Sequence, residues 1–143
     1  MNRTLFVSFV VLVLGAGAAG CGYSSPTAPY ANGAYPTGSY AATVITSTDG
    51  AVTTDRIGAG GSLSLTLNAD LTTAGALVDG GETFDMAGRW TFDGTTVRIT
   101  QDAVTFVRDM RFVVTGTSLV GDGTFDGEQF HAVLVPKAGD AAR

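Results

Sequence analysis

Apolar and polar residues alternate along the chain between Tyr40 and Lys137, and no long stretch repeats apolar residues at helical spacing. In the segment 62–67, leucines fall on one face of an extended strand and Ser or Thr hydroxyls on the other. Trp90 and Phe92 share a face in the same way. Because this alternation is typical of antiparallel strands with one buried face, the sequence predicts an all-β fold.

Asp-Gly pairs interrupt the alternation at intervals. An Asp-Gly pair between two apolar segments is a strong hairpin signal, because a type I′ turn needs positive φ at both central residues. The residues at 68–70 (Asn-Ala-Asp) mark a further turn. Turns are therefore predicted there and at Asp49-Gly50, Asp79-Gly80, Asp93-Gly94, Asp122-Gly123 and Asp126-Gly127.

The segments between these turns have the length of short strands. Short strands in succession predict an antiparallel up-and-down meander, which closes into a small barrel of about eight strands because closure removes unpaired edges. A flat sandwich is the alternative architecture. The predicted strands cover residues 39–46, 53–57, 61–67, 71–78, 84–92, 95–100, 104–114 (with a break allowed at Arg108-Asp109), 117–122 and 128–135.

The first twenty residues have the pattern of an export signal. Arg3 follows the amino terminus, an apolar run covers residues 5–14, and small residues occupy positions 15–20. The run is shorter than the roughly 20 apolar residues that span a bilayer, which argues against a transmembrane helix. Residues 1–20 are therefore predicted to be a secretory signal peptide.

Cys21 directly follows this segment and is the only cysteine of the chain. The sequence Ala18-Ala19-Gly20-Cys21 resembles the lipobox of bacterial lipoproteins, although Ala18 stands where that motif usually has Leu. The resemblance implies that Cys21 becomes the N-terminus and carries acyl chains such as palmitate, which together anchor a protein firmly. Since Gly22 is not the Asp that marks inner-membrane retention in that family, it also implies the outer membrane, or the cell membrane where there is only one. Ordinary signal cleavage, which would leave a free thiol, is the alternative.

Residues 21–38 are rich in Pro, Gly, Ser and Tyr and carry no charge. A segment of this composition buries too little apolar surface to offset the entropy of ordering it. The predicted organisation is therefore a lipoprotein signal peptide (1–20), a lipidated N-terminus and tether (21–38), a β-barrel domain (39–137) and a short tail (138–143).

Four segments of the predicted barrel carry a further pattern: Gly38-Ser39-Tyr40 and residues 63–70, 88–94 and 132–137. Together they resemble bacterial lipocalin-like domains, which are small lipoprotein barrels of the calycin type. The chain departs from that pattern at Tyr40, where lipocalins carry Trp, and at Leu71, where Gly is usual after Asn-x-Asp. No helix pattern follows the last strand. The resemblance implies a closed barrel, and it brings no catalytic motif.

Charge and residue counts exclude several classes of function. The formal net charge is −5, which argues against nucleic-acid binding because phosphate contacts need clustered Lys and Arg. With one Cys and one His, the chain has no internal disulfide and no metal site built from several Cys or His ligands. Neither a metal nor a cofactor is predicted.

Candidate catalytic groups are few. His131 alternates with apolar neighbours, which places it on the outer face of the last predicted strand. No Ser or Thr lies in a nucleophile-elbow context for His131 to activate, so no enzymatic activity is predicted. Asp122, Asp126 and Glu128 could supply oxygen ligands to calcium, but two Asp-Gly turns account for them without a metal.

Arginines concentrate on the central predicted strands, at Arg89, Arg98, Arg108 and Arg111. We expect them to make cross-strand pairs on the solvent face with nearby carboxylates, namely Asp93, Asp102 and Asp109. An arginine that pointed inward would instead form a pocket for an anionic ligand.

Large apolar residues gather on the inward faces of the predicted strands. They either line a cavity or fill the interior, since eight strands enclose room for packed side chains or for one small ligand. The leading hypothesis is weak binding of a small apolar or amphipathic molecule at the cell envelope. The alternative is a non-enzymatic structural or protein-interaction module with a packed barrel. The candidate lining residues are Leu65, Trp90, Phe92, Phe112 and Phe130.

Overall fold

The computed structural model describes residues 36–138, in which ten strands form one antiparallel sheet. The predicted signal peptide, Cys21, the tether up to residue 35 and residues 139–143 lie outside the described residues. Between residues 36 and 138, no helix is long and apolar enough to cross a bilayer. The strands are β1 (Gly38–Asp49), β2 (Val52–Asp55), β3 (Ser62–Leu67), β4 (Thr72–Asp79), β5 (Glu82–Asp85), β6 (Gly88–Phe92), β7 (Thr96–Gln101), β8 (Arg111–Thr115), β9 (Ser118–Phe125) and β10 (Glu128–Pro136).

The first and last strands close the sheet into a ring. β1 pairs with β10 from Tyr40 opposite Pro136 to Thr48 opposite Gln129. The other edge of β1 pairs with β3 near its start and with β2 near its end, so β2 and β3 together occupy one strand position of the barrel. In the same way, β5 and β6 both pair with β4 and together occupy one position. The result is a closed up-and-down barrel of eight strands. The predicted fold class is confirmed, and the flat sandwich is excluded.

Successive connections lie at opposite ends of the barrel, because neighbouring strands are antiparallel. One end, the closed end, holds the start of β1, the end of β10 and the turns at 68–71, 93–95 and 116–117. The mouth holds the turns at 50–51, 80–81 and 126–127 and the longer loop 102–110.

Inward-facing side chains fill the barrel between these ends. The three leucines of β3 are buried, as their alternation predicted, and so are Phe130, Ala132 and Leu134 of β10. Burial of this kind is the main favourable contribution to folding. The largest side chains with less than 2% of their surface exposed are Trp90, Phe112, Ile45, Leu65, Leu67, Leu77, Met86, Ile99, Leu119, Leu134, Val97 and Val107.

One contact shows how closely the interior is packed. Phe112 lies opposite Gly121 across β8 and β9, and a Cβ atom on Gly121 would fall 2.6 Å from two carbons of the Phe112 ring. On Gly123, two residues along the same strand, a Cβ atom would lie 3.5 Å from the nearest atom, which is an ordinary contact. Gly121 is therefore needed for Phe112 to occupy its place in the core.

Of the two Asp-Gly turns predicted between residues 122 and 127, only the second forms. The turn at 126–127 has φ of 50° at Asp126 and 87° at Gly127, as a type I′ hairpin requires. The predicted turn at Asp122-Gly123 is wrong, because both residues lie inside β9, opposite His131 and Phe130. Turning at the later pair lets β9 and β10 pair continuously, from Glu128 opposite Phe125 to Leu134 opposite Leu119.

The turn after β3 also forms where it was predicted. Asp70 accepts hydrogen bonds from the Thr72 hydroxyl at 2.6 Å and from the Thr72 amide at 3.0 Å, and these bonds hold the pKa of Asp70 below its usual value. Leu71 adopts a φ of 67°. A left-handed leucine is strained, and it stands where the resemblance leads one to expect Gly.

The predicted strand 104–114 is correct only in its second part. β8 begins at Arg111, and residues 102–110 form a loop at the mouth. Thr105, Phe106 and Val107 are buried in succession, which a strand with one exposed face does not allow. The predicted strand 84–92 is likewise divided, because Met86-Ala87 separates β5 from β6.

Candidate functional site

A cavity of about 160 Å³ lies at the mouth and is partly open to solvent. Four phenylalanines line it, one each from β5, the loop 102–110, β9 and β10, together with three carboxylates and one arginine. The phenylalanines are Phe84, Phe106, Phe125 and Phe130, and the charged residues are Arg56, Asp79, Asp126 and Glu128.

The aromatic side chains pack against one another around Phe130. The rings of Phe106 and Phe130 are stacked, with centroids 4.4 Å apart and planes 4° from parallel. The ring of Phe125 meets Phe130 edge to face at 6.5 Å. Phe106 and Phe130 are each 5% exposed, so these rings form a floor that joins the cavity to the core.

Arg56 lines the cavity and contacts side chains of β1, β4 and β10. Its Nη2 donates to Glu128 Oε2 at 2.7 Å, its Nη1 to Asp79 Oδ1 at 3.4 Å, and its Nε to Ser47 Oγ at 2.8 Å. The guanidinium carbon also lies 5.5 Å from the centre of the Phe130 ring. The guanidinium is thus shared between two carboxylates, a buried hydroxyl and an aromatic face.

This network favours the ionised form of Glu128. The Ser47 hydroxyl and the Arg56 guanidinium both donate to the Glu128 carboxylate, and they hold its pKa below the usual value. Ser47 is only 3% exposed, so its hydroxyl needs these polar partners.

Local sequence explains how Arg56 reaches the mouth. The Arg56 amide donates to the Ile45 carbonyl at 2.8 Å, which extends the pairing of β1 with β2 by one residue. The chain then turns away from β1, with the Gly58 amide bonded to the Asp55 carboxylate at 3.0 Å and the Gly61 amide to the Arg56 carbonyl at 2.7 Å. Arg56 is therefore held at its backbone on both sides.

The loop 102–110 is held to the barrel by buried polar contacts. Gln101 donates from Nε2 to Met86 Sδ at 2.7 Å and accepts from the Thr105 hydroxyl at 3.2 Å. The Asp109 amide returns to the Ile99 carbonyl at 3.0 Å. These bonds fix Phe106 against Phe130, so one wall of the cavity belongs to a loop.

The candidate lining residues separate into groups. Leu65, Trp90 and Phe112 have at most 1% of their surface exposed and belong to the packed interior. Phe92 is half-buried against the core, and Phe130 alone of the five lines the mouth cavity. Their role in ligand binding stays a prediction.

Sequence reasoning missed most of the residues around the cavity. The sequence pattern indicates neither Arg56 nor Phe84, Phe106 and Phe125. It groups Asp126 and Glu128 with Asp122, whose carboxylate lies beside His131 and outside the cavity lining. No spacing in the sequence brings Arg56 next to Glu128, because the two are 72 residues apart.

The outer wall carries the remaining candidate groups. His131 Nδ1 lies 2.7 Å from Asp122 Oδ1, and both side chains are more than 40% exposed. The four central arginines are exposed, and Arg108 lies 3.8 Å from Asp109. Within residues 36–138, no group of three or more His, Cys, Asp or Glu side chains is arranged to hold a metal ion. A second depression, of about 630 Å³, lies on the wall over β4, β6 and β7.

Fold and cavity together define a small closed antiparallel β-barrel with an aromatic, charge-bearing cavity at one end. Comparison with protein-family models, with curated proteins and with solved structures finds no match to this chain.

Proposed function

We propose that this chain is a lipid-anchored envelope lipoprotein whose lipocalin-like barrel binds a small apolar or amphipathic molecule in the mouth cavity. The observation that carries the proposal is the cavity of about 160 Å³ lined by four phenylalanine side chains. An apolar cavity of about 150 Å³ is large enough to admit benzene, so the ligand part that enters is one ring or a short branched chain.

The packed interior limits how deeply a ligand enters. Leu65, Phe112 and Trp90 occupy the space in which larger barrels of this type would hold a ligand. Binding is therefore confined to the mouth, with the rest of the ligand in solvent. Weak affinity follows, because little ligand surface is buried.

Anchoring through Cys21 would direct the mouth away from the membrane. β1 begins and β10 ends at the closed end, so a tether that precedes β1 reaches the barrel there. The ligand would then arrive from the aqueous side of the anchor rather than from the bilayer.

The experiment is an NMR titration of the purified full chain, in nonionic detergent, with benzyl alcohol as a benzene-sized probe. We expect saturable amide shifts at Phe106 and Gly127 and none at the Trp90 indole, which lies toward the closed end. Phe125→Leu should weaken these shifts, while the matched change Phe92→Leu, at a half-buried ring on the closed end, should not. Unchanged spectra would remove the ligand-binding proposal.

Anchoring needs a separate test. The full chain expressed in a bacterium is expected to incorporate a palmitate analogue and to fractionate with membranes, and Cys21→Ser should abolish both. Incorporation that survives Cys21→Ser would contradict lipidation at this residue.

The second candidate is a non-enzymatic structural or protein-interaction module. The close packing around Phe112 and Gly121 favours it, since a filled interior needs no ligand for stability. A titration without response would leave this candidate standing.

A further inference from the structure

We infer that the mouth cavity selects small organic cations, such as an aryl- or alkylammonium group, because ionised carboxylates and phenyl faces meet there around an arginine that is already paired. This inference rests on the proposed function and names the chemical class of its ligand.

Charge around the cavity favours a cation. Three carboxylates, those of Asp79, Asp126 and Glu128, line it against the single guanidinium of Arg56. An anionic ligand would face this excess of negative charge, whereas a cation would reduce it. The whole chain, with a net charge of −5, adds to the same preference.

Arg56 is poorly placed to bind an anion, because two carboxylates already lie beside it. Its Nη2, Nη1 and Nε groups donate to Glu128, Asp79 and Ser47 respectively. These contacts use three of the five N–H groups of the guanidinium. A carboxylate or phosphate ligand that bound to the other two would lie close to the Asp79 and Glu128 carboxylates, which would repel it. The charge of Arg56 is therefore balanced by its own neighbours, and the surroundings of this arginine disfavour an anion.

Asp126 supplies the charge that a cation would meet. It occupies the type I′ turn between β9 and β10 and lines the cavity. Within the part of the chain that the structure describes, its carboxylate makes no ion pair and no side-chain hydrogen bond. It is thus free to pair with a ligand.

The phenyl faces supply the second component of cation binding. Arg56 already places a cation 5.5 Å from the centre of the Phe130 ring. Phe84 and Phe125 line the same cavity and are half-buried, so their rings are within reach of a ligand. A ligand ammonium group can use these faces as Arg56 uses Phe130.

The test compares three probes of the same size and different charge: benzylamine, benzyl alcohol and benzoate. The purified full chain is titrated with each at neutral pH and followed by the amide shifts of Phe106, Asp126 and Gly127, with detergent alone as the blank. We expect benzylamine to bind about tenfold more tightly than benzyl alcohol, and benzoate to bind most weakly.

Asp126→Asn removes the negative charge of this side chain and keeps its size. Asn tolerates the left-handed backbone at this position, so the turn should persist. We expect the affinity for benzylamine to fall roughly two- to fivefold and that for benzyl alcohol to stay unchanged. Asp49→Asn is the matched control, since it makes the same charge change at the same barrel end, outside the set of cavity-lining residues.

The outcomes separate the two proposals. Equal binding of amine and alcohol, or preference for benzoate, overturns the cation inference and leaves a ligand site in place. An equal loss of benzylamine affinity in Asp49→Asn and Asp126→Asn also overturns it, because the effect would then be net charge alone. No response to any probe overturns both this inference and the proposed function.

Discussion

The closed end and the mouth are built from the same eight barrel strands, but polar groups are accommodated differently at each. At the closed end, the hydroxyl of Tyr40 donates to the Pro36 carbonyl at 3.1 Å and the indole of Trp90 to the Asn68 carbonyl at 2.9 Å. Each is a large, buried side chain whose single polar atom is bonded to nearby backbone. Burial raises the pKa of Tyr40, which keeps this phenol protonated as a donor.

At the mouth, charged side chains are bonded mainly to other side chains. Arg56 and Glu128 are joined across 72 residues of sequence, and both are partly open to solvent. Ion pairs at such positions contribute little net stability, since solvent screens them and ordering them costs entropy. The closed end therefore stabilises the barrel, while the mouth keeps charged and aromatic side chains partly open to solvent.

The largest expected effect is at the closed end. Trp90→Ala should lower the free energy of unfolding by about 3–5 kcal/mol, because it leaves a cavity in the core and removes the hydrogen bond of the indole to the Asn68 carbonyl. The matched change at the mouth, Phe125→Ala, should cost only roughly 1–2 kcal/mol, since this ring is half-buried. Urea denaturation measures both, and equal costs would end the distinction between the two ends.

A smaller effect is expected in the barrel wall between the ends. Gly121→Ala should destabilise the fold by about 1–3 kcal/mol, because the new methyl group collides with the Phe112 ring. Gly123→Ala is the control and should be nearly neutral, since its Cβ would make an ordinary contact. If the two variants melt at the same temperature, the packing described around Gly121 is incorrect.

Acid should remove the stability that ionised Glu128 contributes at the mouth. Its pKa is lowered on folding, so the unfolded chain binds its proton more readily, and the stability from this group disappears as the pH falls below about 4.3. The pKa values of Asp70 and Asp93 are also lowered, that of Asp93 by hydrogen bonds from the backbone amides of Thr96 and Thr95.

Arg56→Met separates the contribution of the mouth from those of the turns. We expect the melting temperature to fall by a few degrees at pH 7 and its further decrease between pH 5 and pH 3 to become shallower than in the wild type. Asp93→Asn should remove a turn contribution and leave the Arg56 network intact. A pH profile unchanged by Arg56→Met would show that Glu128 is not held by this network.

The smallest effect concerns the loop 102–110. Val104 is 66% exposed, and Val104→Ser should change the free energy of unfolding by less than about 0.5 kcal/mol. Val97→Ser, at a fully buried valine, is the contrast and should cost about 2 kcal/mol or more. A large loss from Val104→Ser would mean that this side chain is packed against the barrel instead of being exposed to solvent.

Much of the barrel could be predicted from local sequence. Alternation in Ser62–Leu67 identified a strand and its buried face, and Asp126-Gly127 identified a hairpin, because both depend on residues that are neighbours in the chain. Prediction failed at residues 104–110, where apolar residues cover the end of the barrel instead of lining its wall. It failed again at Asp122-Gly123, where the pairing of β9 with β10 decides that the strand continues.

The sequence by itself determined the fold class and the buried faces of most strands. It also predicts an export signal and lipidation at Cys21, and these two predictions are still to be tested. Only the tertiary structure decided which residues meet at the mouth. Alternation shows which face a side chain takes, but not which end of the barrel it reaches or which distant strand it faces. Arg56 and Glu128 become partners through the closure of β1 against β10, and this closure is a property of the whole sheet.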